Sequence, residues 1–102
     1  MKTYKVVYAP HFIESLLEIK SYLSEENPIA ARILIDGILK RCDSFSLFPK
    51  EGKLRPELGA RLRSIHYGHF SILYTVNDKA EIVEFKHIFR SSRNIDILLK
   101  DN

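Results

Sequence analysis

Read along its length, the chain changes hydrophobic period twice. Tyr4, Val6 and Tyr8 alternate with Lys5 and Val7, the period of two expected of a strand with one buried face. From Pro10 the spacing lengthens: Phe12, Leu16, Ile19 and Leu23 recur at steps of three and four, with Ile13 and Leu17 widening the stripe. This predicts an amphipathic helix over residues 10–24, with proline suited to its first position. Asn27-Pro28 supplies a cap and a new first residue. Ala31, Leu34, Ile35, Ile38, Cys42 and Phe45 then trace a second apolar face, which ends at Leu47-Phe48-Pro49. The short connection makes the two helices an antiparallel hairpin. Gly37 inside the second helix costs about 1 kcal/mol relative to alanine and predicts the close approach of another backbone.

After residue 60 the period returns to two. Residues 50–60, punctuated by Gly52, Pro56 and Gly59, read as a loop. Leu62–Tyr67 reads as a strand with a bulge, and Gly68-His69 as a two-residue hairpin turn with glycine first. Phe70, Ile72, Tyr74 and Val76 form the clearest strand, Asn77-Asp78-Lys79 turns it, and Ile82–Ile88 closes the set with Val83, Phe85 and His87 on one face. A tail from Ser92 to Leu99 predicts a short helical segment burying Ile95, Leu98 and Leu99. The whole is an α+β fold of order β-α-α-β-β-β, an N-terminal strand followed by a helical hairpin and a three-stranded antiparallel meander. The hairpin covers one face of an antiparallel sheet.

Length and composition narrow the function. With 102 residues, 45% of them apolar and 28% charged, the chain has the size and balance of one folded domain spanning 1–102. One cysteine permits no internal disulfide, and no stretch is apolar enough for an export signal or a membrane span. A cytoplasmic protein with no membrane partner is the expectation. Net charge is only +3, so placement matters more than the total. Lys50, Lys53, Arg55, Arg61 and Arg63 face only Glu51 and Glu57 in their window, and Lys86, Arg90 and Arg93 have no acid among them.

In this order and spacing the residues resemble the ParE/RelE superfamily of small bacterial toxins. Tyr8-Ala9-Pro10, Asn27-Pro28-Ile29-Ala30-Ala31 and Leu47-Phe48-Pro49 carry the resemblance through the hairpin. Arg63-Ser64-Ile65, Tyr67 to Tyr74, and His87-Ile88-Phe89-Arg90 carry it through the sheet. The resemblance implies the toxin of a type II toxin–antitoxin pair, hetero-oligomeric with a cognate antitoxin and needing no cofactor.

Two chemistries then stand open. The RelE branch cleaves messenger RNA on the ribosome, which requires a base, an acid and cations around the phosphorane. The ParE branch binds and inhibits DNA gyrase without breaking a bond. RelE-like sequences carry arginine in the central strand where this chain resembles Ser71, and often a tyrosine near the C-terminus, whereas no tyrosine follows Tyr74. These absences favour gyrase inhibition, with the ribosome-dependent endoribonuclease as the alternative. The expected target-binding set is Lys53, Arg55, Arg61, Arg63, His87, Arg90 and Arg93. Arg61 and Arg63, at i and i+2, are expected to share one strand face. If the chain is a nuclease, His87, Arg61 and Arg90 are its catalytic candidates. His87 reads equally as a hydrogen-bonded core residue, His66 and His69 as solvated flanks of the turn, and His11 as surface. No histidines have metal-ligand spacing, and no metal is expected.

Overall fold

The computed structural model describes residues 3–91. Strand β1 (Lys5–Tyr8) leads into helices α1 (Pro10–Ser24) and α2 (Pro28–Asp43), and a 3₁₀ turn follows at Ser44–Ser46. Strands β2 (Lys53–Leu54), β3 (Arg63–Tyr67), β4 (Phe70–Asn77) and β5 (Ile82–Arg90) complete a five-stranded sheet of order β1-β5-β4-β3-β2. The α+β order expected from the sequence is the one observed. The predicted tail helix and Arg93 lie outside the described residues.

Three features depart from the sequence reading. Lys53-Leu54, read as loop, pairs antiparallel with β3 at Ser64 and Arg63; two residues carry no periodicity from which a strand can be read. β1 pairs parallel with β5, Lys5 beside Ile82 through Tyr8 beside Phe85, so the sheet is mixed. The irregularity expected near residue 62 lies instead between β4 and β5, where Leu73 faces His87 and Tyr74 faces Phe85. Lys86 is the extra residue, and β3 pairs with β4 in unbroken register from Arg63–Tyr74 to Tyr67–Phe70.

The helices form because their apolar stripes find one face of this sheet. Phe12 and Leu16 of α1 and Ile35, Ile38 and Cys42 of α2 pack with Phe45, Ile65, Phe70, Ile72, Tyr74, Val83, Phe85 and Ile88 in one cluster. Pro10 stands at the start of α1, and the Asn27 side chain accepts a hydrogen bond from the Ala30 amide at 3.0 Å to cap α2. Ile13 and Leu17 do not widen the buried stripe; they stay 39% and 58% exposed. Gly37 does admit a close neighbour, but it is the phenol of Tyr67, whose hydroxyl lies where a Cβ would stand.

Tyr74 ties the sheet to the hairpin exit. Its buried hydroxyl accepts from the Gly52 amide and donates to the Pro49 carbonyl, both at 2.8 Å. Fully buried, Tyr74 satisfies its polar atom with two backbone groups that would otherwise lack partners.

Candidate functional site

The expected cationic residues fall into separate places, and the reason is register. Arg63 pairs with Tyr74 in the middle of β4, whereas Arg90 pairs with Phe70 at its start. Four residues of strand separate those positions, on the order of 13 Å. Arg61 and Arg63 border one cleft, whereas Arg90 borders another.

Arg63 and Arg55 serve the fold first. The Arg63 guanidinium donates to the carbonyls of Lys50 at 3.2 Å and Gly52 at 2.8 Å, clamping the segment before β2. Arg55 pairs with Glu57 at 2.8 Å, reaches the Ser64 hydroxyl at 3.4 Å, and keeps only 17% of its side chain exposed. Lys53 stands exposed beside Ser64 on the edge strand.

Arg61 does not share a strand face with Arg63, because β3 begins only at Arg63. Arg61 sits in the turn before it with φ of 65°, a left-handed conformation that costs an L-residue about 1–2 kcal/mol. It borders a cleft of about 530 Å³ together with Lys50, Leu54, Arg63, Asp78 and Lys79. Inside that cleft Asp78 accepts from the Tyr4 hydroxyl at 2.7 Å and from the Lys50 ammonium at 2.8 Å. The Lys50 hydrogen bond, then that of Tyr4, holds the Asp78 carboxyl below its usual range. Lys50 and Lys79 escaped the target-binding set because nothing local links them. They meet only when the β4–β5 turn returns beside the segment that follows α2.

The opposite face of the sheet carries the remaining polar candidates. The shift at Lys86 places His87 opposite Leu73, off the face of Val83 and Phe85 where simple alternation had put it. There its ring meets that of His11, the first-turn residue of α1, with centroids 5.4 Å apart at 69°. Burial, then the charges of His11 and Lys86, pushes His87 below the ordinary histidine value of 6.5. The same causes favour the neutral form of His87 over the imidazolium. His66 and His69 are exposed, as expected of turn flanks.

The middle of that face is closed to cations. β4 is the central strand and contains no charged residue. Ser71 is completely buried, its hydroxyl 3.2 Å from His66 Nδ1 and 2.7 Å from the Ser91 hydroxyl. Those two contacts lock the side chain at the position where RelE-like sequences place arginine. Among the described residues no group of three or more His, Cys, Asp or Glu is disposed to hold a metal ion. Cys42 is buried in the core, with its thiol pushed up to about 12 by burial, and is unreactive there.

Residues 6–95 match the family described as ParE toxin of type II toxin–antitoxin system, parDE. The chain belongs to the ParE toxin family. Two solved structures share the fold of this ParE-family chain. One is from the chromosomal ParDE toxin–antitoxin system of P. aeruginosa, with TM-score 0.73 and 16% identity over 88% of this chain and 98% of that one. The other is from the toxin–antitoxin complex RelBE2 of Mycobacterium tuberculosis, with TM-score 0.65 and 18% identity over 87% of this chain and 99% of that one. No curated protein matches the ParE-family chain in sequence. No helix among its described residues is long and apolar enough to cross a membrane.

Proposed function

We propose that this ParE-type toxin arrests growth by binding and inhibiting DNA gyrase, and that a cognate antitoxin holds it inactive in a hetero-oligomer in the cytoplasm. The observation that carries the reading is Ser71. A cleavage site for RNA needs fixed positive charge where the phosphorane develops, yet the centre of this sheet face offers a buried serine already bonded to His66 and Ser91. His87 has no lysine or arginine opposite it on β4. What remains is a surface suited to binding another protein.

Arg90 is the residue proposed to meet gyrase. It is exposed at the end of β5, with its guanidinium 5.8 Å from the Phe70 ring centroid. It borders an apolar groove of about 410 Å³ that also includes Tyr22, which is 73% exposed. Exposed arginine and tyrosine beside an apolar groove are common anchors of protein interfaces.

The test is a supercoiling assay with purified gyrase and the purified toxin. Inhibition is expected, and Arg90→Ala should weaken it about tenfold or more while leaving the melting temperature unchanged. No inhibition, together with cleavage of ribosome-bound message, would overturn the reading in favour of an endoribonuclease.

A further inference from the structure

We propose that the cleft lined by Lys50, Arg61, Arg63 and Lys79 receives a carboxylate-rich segment of the antitoxin. The assignment rests on the chain being the toxin of a toxin–antitoxin pair and is independent of gyrase as the target. Three observations converge on it.

The first is charge. Four cationic side chains border the cleft and one acid, Asp78, faces them. Lys50 is engaged by Asp78, and Arg63 by the carbonyls of Lys50 and Gly52. Among the described residues, Arg61 and Lys79 have no hydrogen-bond or ion-pair partner. Two cations are thus left to answer an incoming anion.

The second is backbone. Arg61 keeps a left-handed conformation at φ 65° that glycine or asparagine would adopt with less strain. A strained arginine with no internal partner is accounted for by what its guanidinium does at the cleft.

The third is the chemistry already inside. Asp78 has one carboxylate oxygen on Lys50 and the other on the Tyr4 hydroxyl, so the cleft binds a carboxylate of its own. Leu54, 47% exposed at the rim, offers apolar contact to the methylenes of a glutamate. An acidic peptide fits this lining better than a nucleic-acid backbone does.

The experiment titrates the purified full chain with a fluorescein-labelled octaglutamate peptide at low salt, followed by anisotropy, beside a labelled octathymidylate of similar charge. Octaglutamate is expected to bind more tightly than octathymidylate and to be released by added salt. Arg61→Asn/Lys79→Gln should weaken it at least about tenfold. Arg61→Gly separates a ligand-binding role from a structural one, since relief of strain should raise the melting temperature while the peptide affinity falls. Failure of octaglutamate to bind, tighter binding of octathymidylate, or affinity unchanged in the double variant would each overturn the assignment. A wild-type chain that does not inhibit gyrase at all defeats the gyrase reading and leaves the peptide titration decisive for the cleft.

Discussion

Single residues decide more of this fold than their exposure suggests. Gly37→Ala puts a methyl group where the Tyr67 hydroxyl now lies, and overpacking of this kind costs about 1–3 kcal/mol. A chemical melt should show that loss, and Tyr67→Phe in the same chain should recover part of it by removing the hydroxyl. Tyr74→Phe acts on a different contact. It strips the Gly52 amide of its acceptor in a buried setting, for a cost of about 1–3 kcal/mol. Burial also raises the Tyr74 phenol above its ordinary value of 10.0, so the neutral phenol stabilises the fold fully below pH 10. That contribution is lost as pH climbs past 10 through the folded value, and Tyr74→Phe should melt with a shallower alkaline slope. His87 works with the opposite sense. Its folded value lies below 6.5, so its contribution is present above pH 6.5 and lost as pH falls through the folded value. Melting temperatures taken from pH 7.5 down to 5 should drop in the wild type and drop less in His87→Gln.

Among the elements, those that extend over several periods could be read before any coordinates. α1 and α2 begin at the predicted prolines, and Phe12, Leu16, Ala31, Ile35, Ile38 and Cys42 are buried as their spacing required. The cap is testable: Asn27→Ala removes the acceptor for the Ala30 amide and should cost about 1 kcal/mol in a denaturant melt. What sequence spacing misses is anything set by a partner strand. The extra residue at Lys86 arises from the pairing of β4 with β5, and a one-residue slip carries a side chain to the other face. That slip takes His87 off the face of Val83 and Phe85. Alternation ignores φ and so puts Arg61 on a strand, whereas its left-handed turn lies two residues before β3 begins at Arg63. Candidate residues for binding were legible as a basic window but not as a site. Lys79 joins Lys50 and Arg61 only through the return of β5.

At the scale of the whole molecule, the sheet divides the work. One face buries the helical hairpin, and the cations that sequence grouped together stand apart at its two ends. Arg90→Ala and Arg61→Asn/Lys79→Gln are therefore expected to behave as independent lesions, the first read in gyrase supercoiling and the second in peptide affinity, with additive effects on stability. The parallel pairing of β1 with β5 has a consequence for how the toxin comes into being. Lys5 finds its strand partner only at Ile82, so during synthesis the first strand waits, unpaired, until the last has been made. A pairing this distant in sequence is slow to close. A nascent chain interrupted before residue 82 lacks β5 and cannot seat β1, and circular dichroism of such a fragment should show no cooperative melt. Under the proposed function, activity then depends on the last strand to be made.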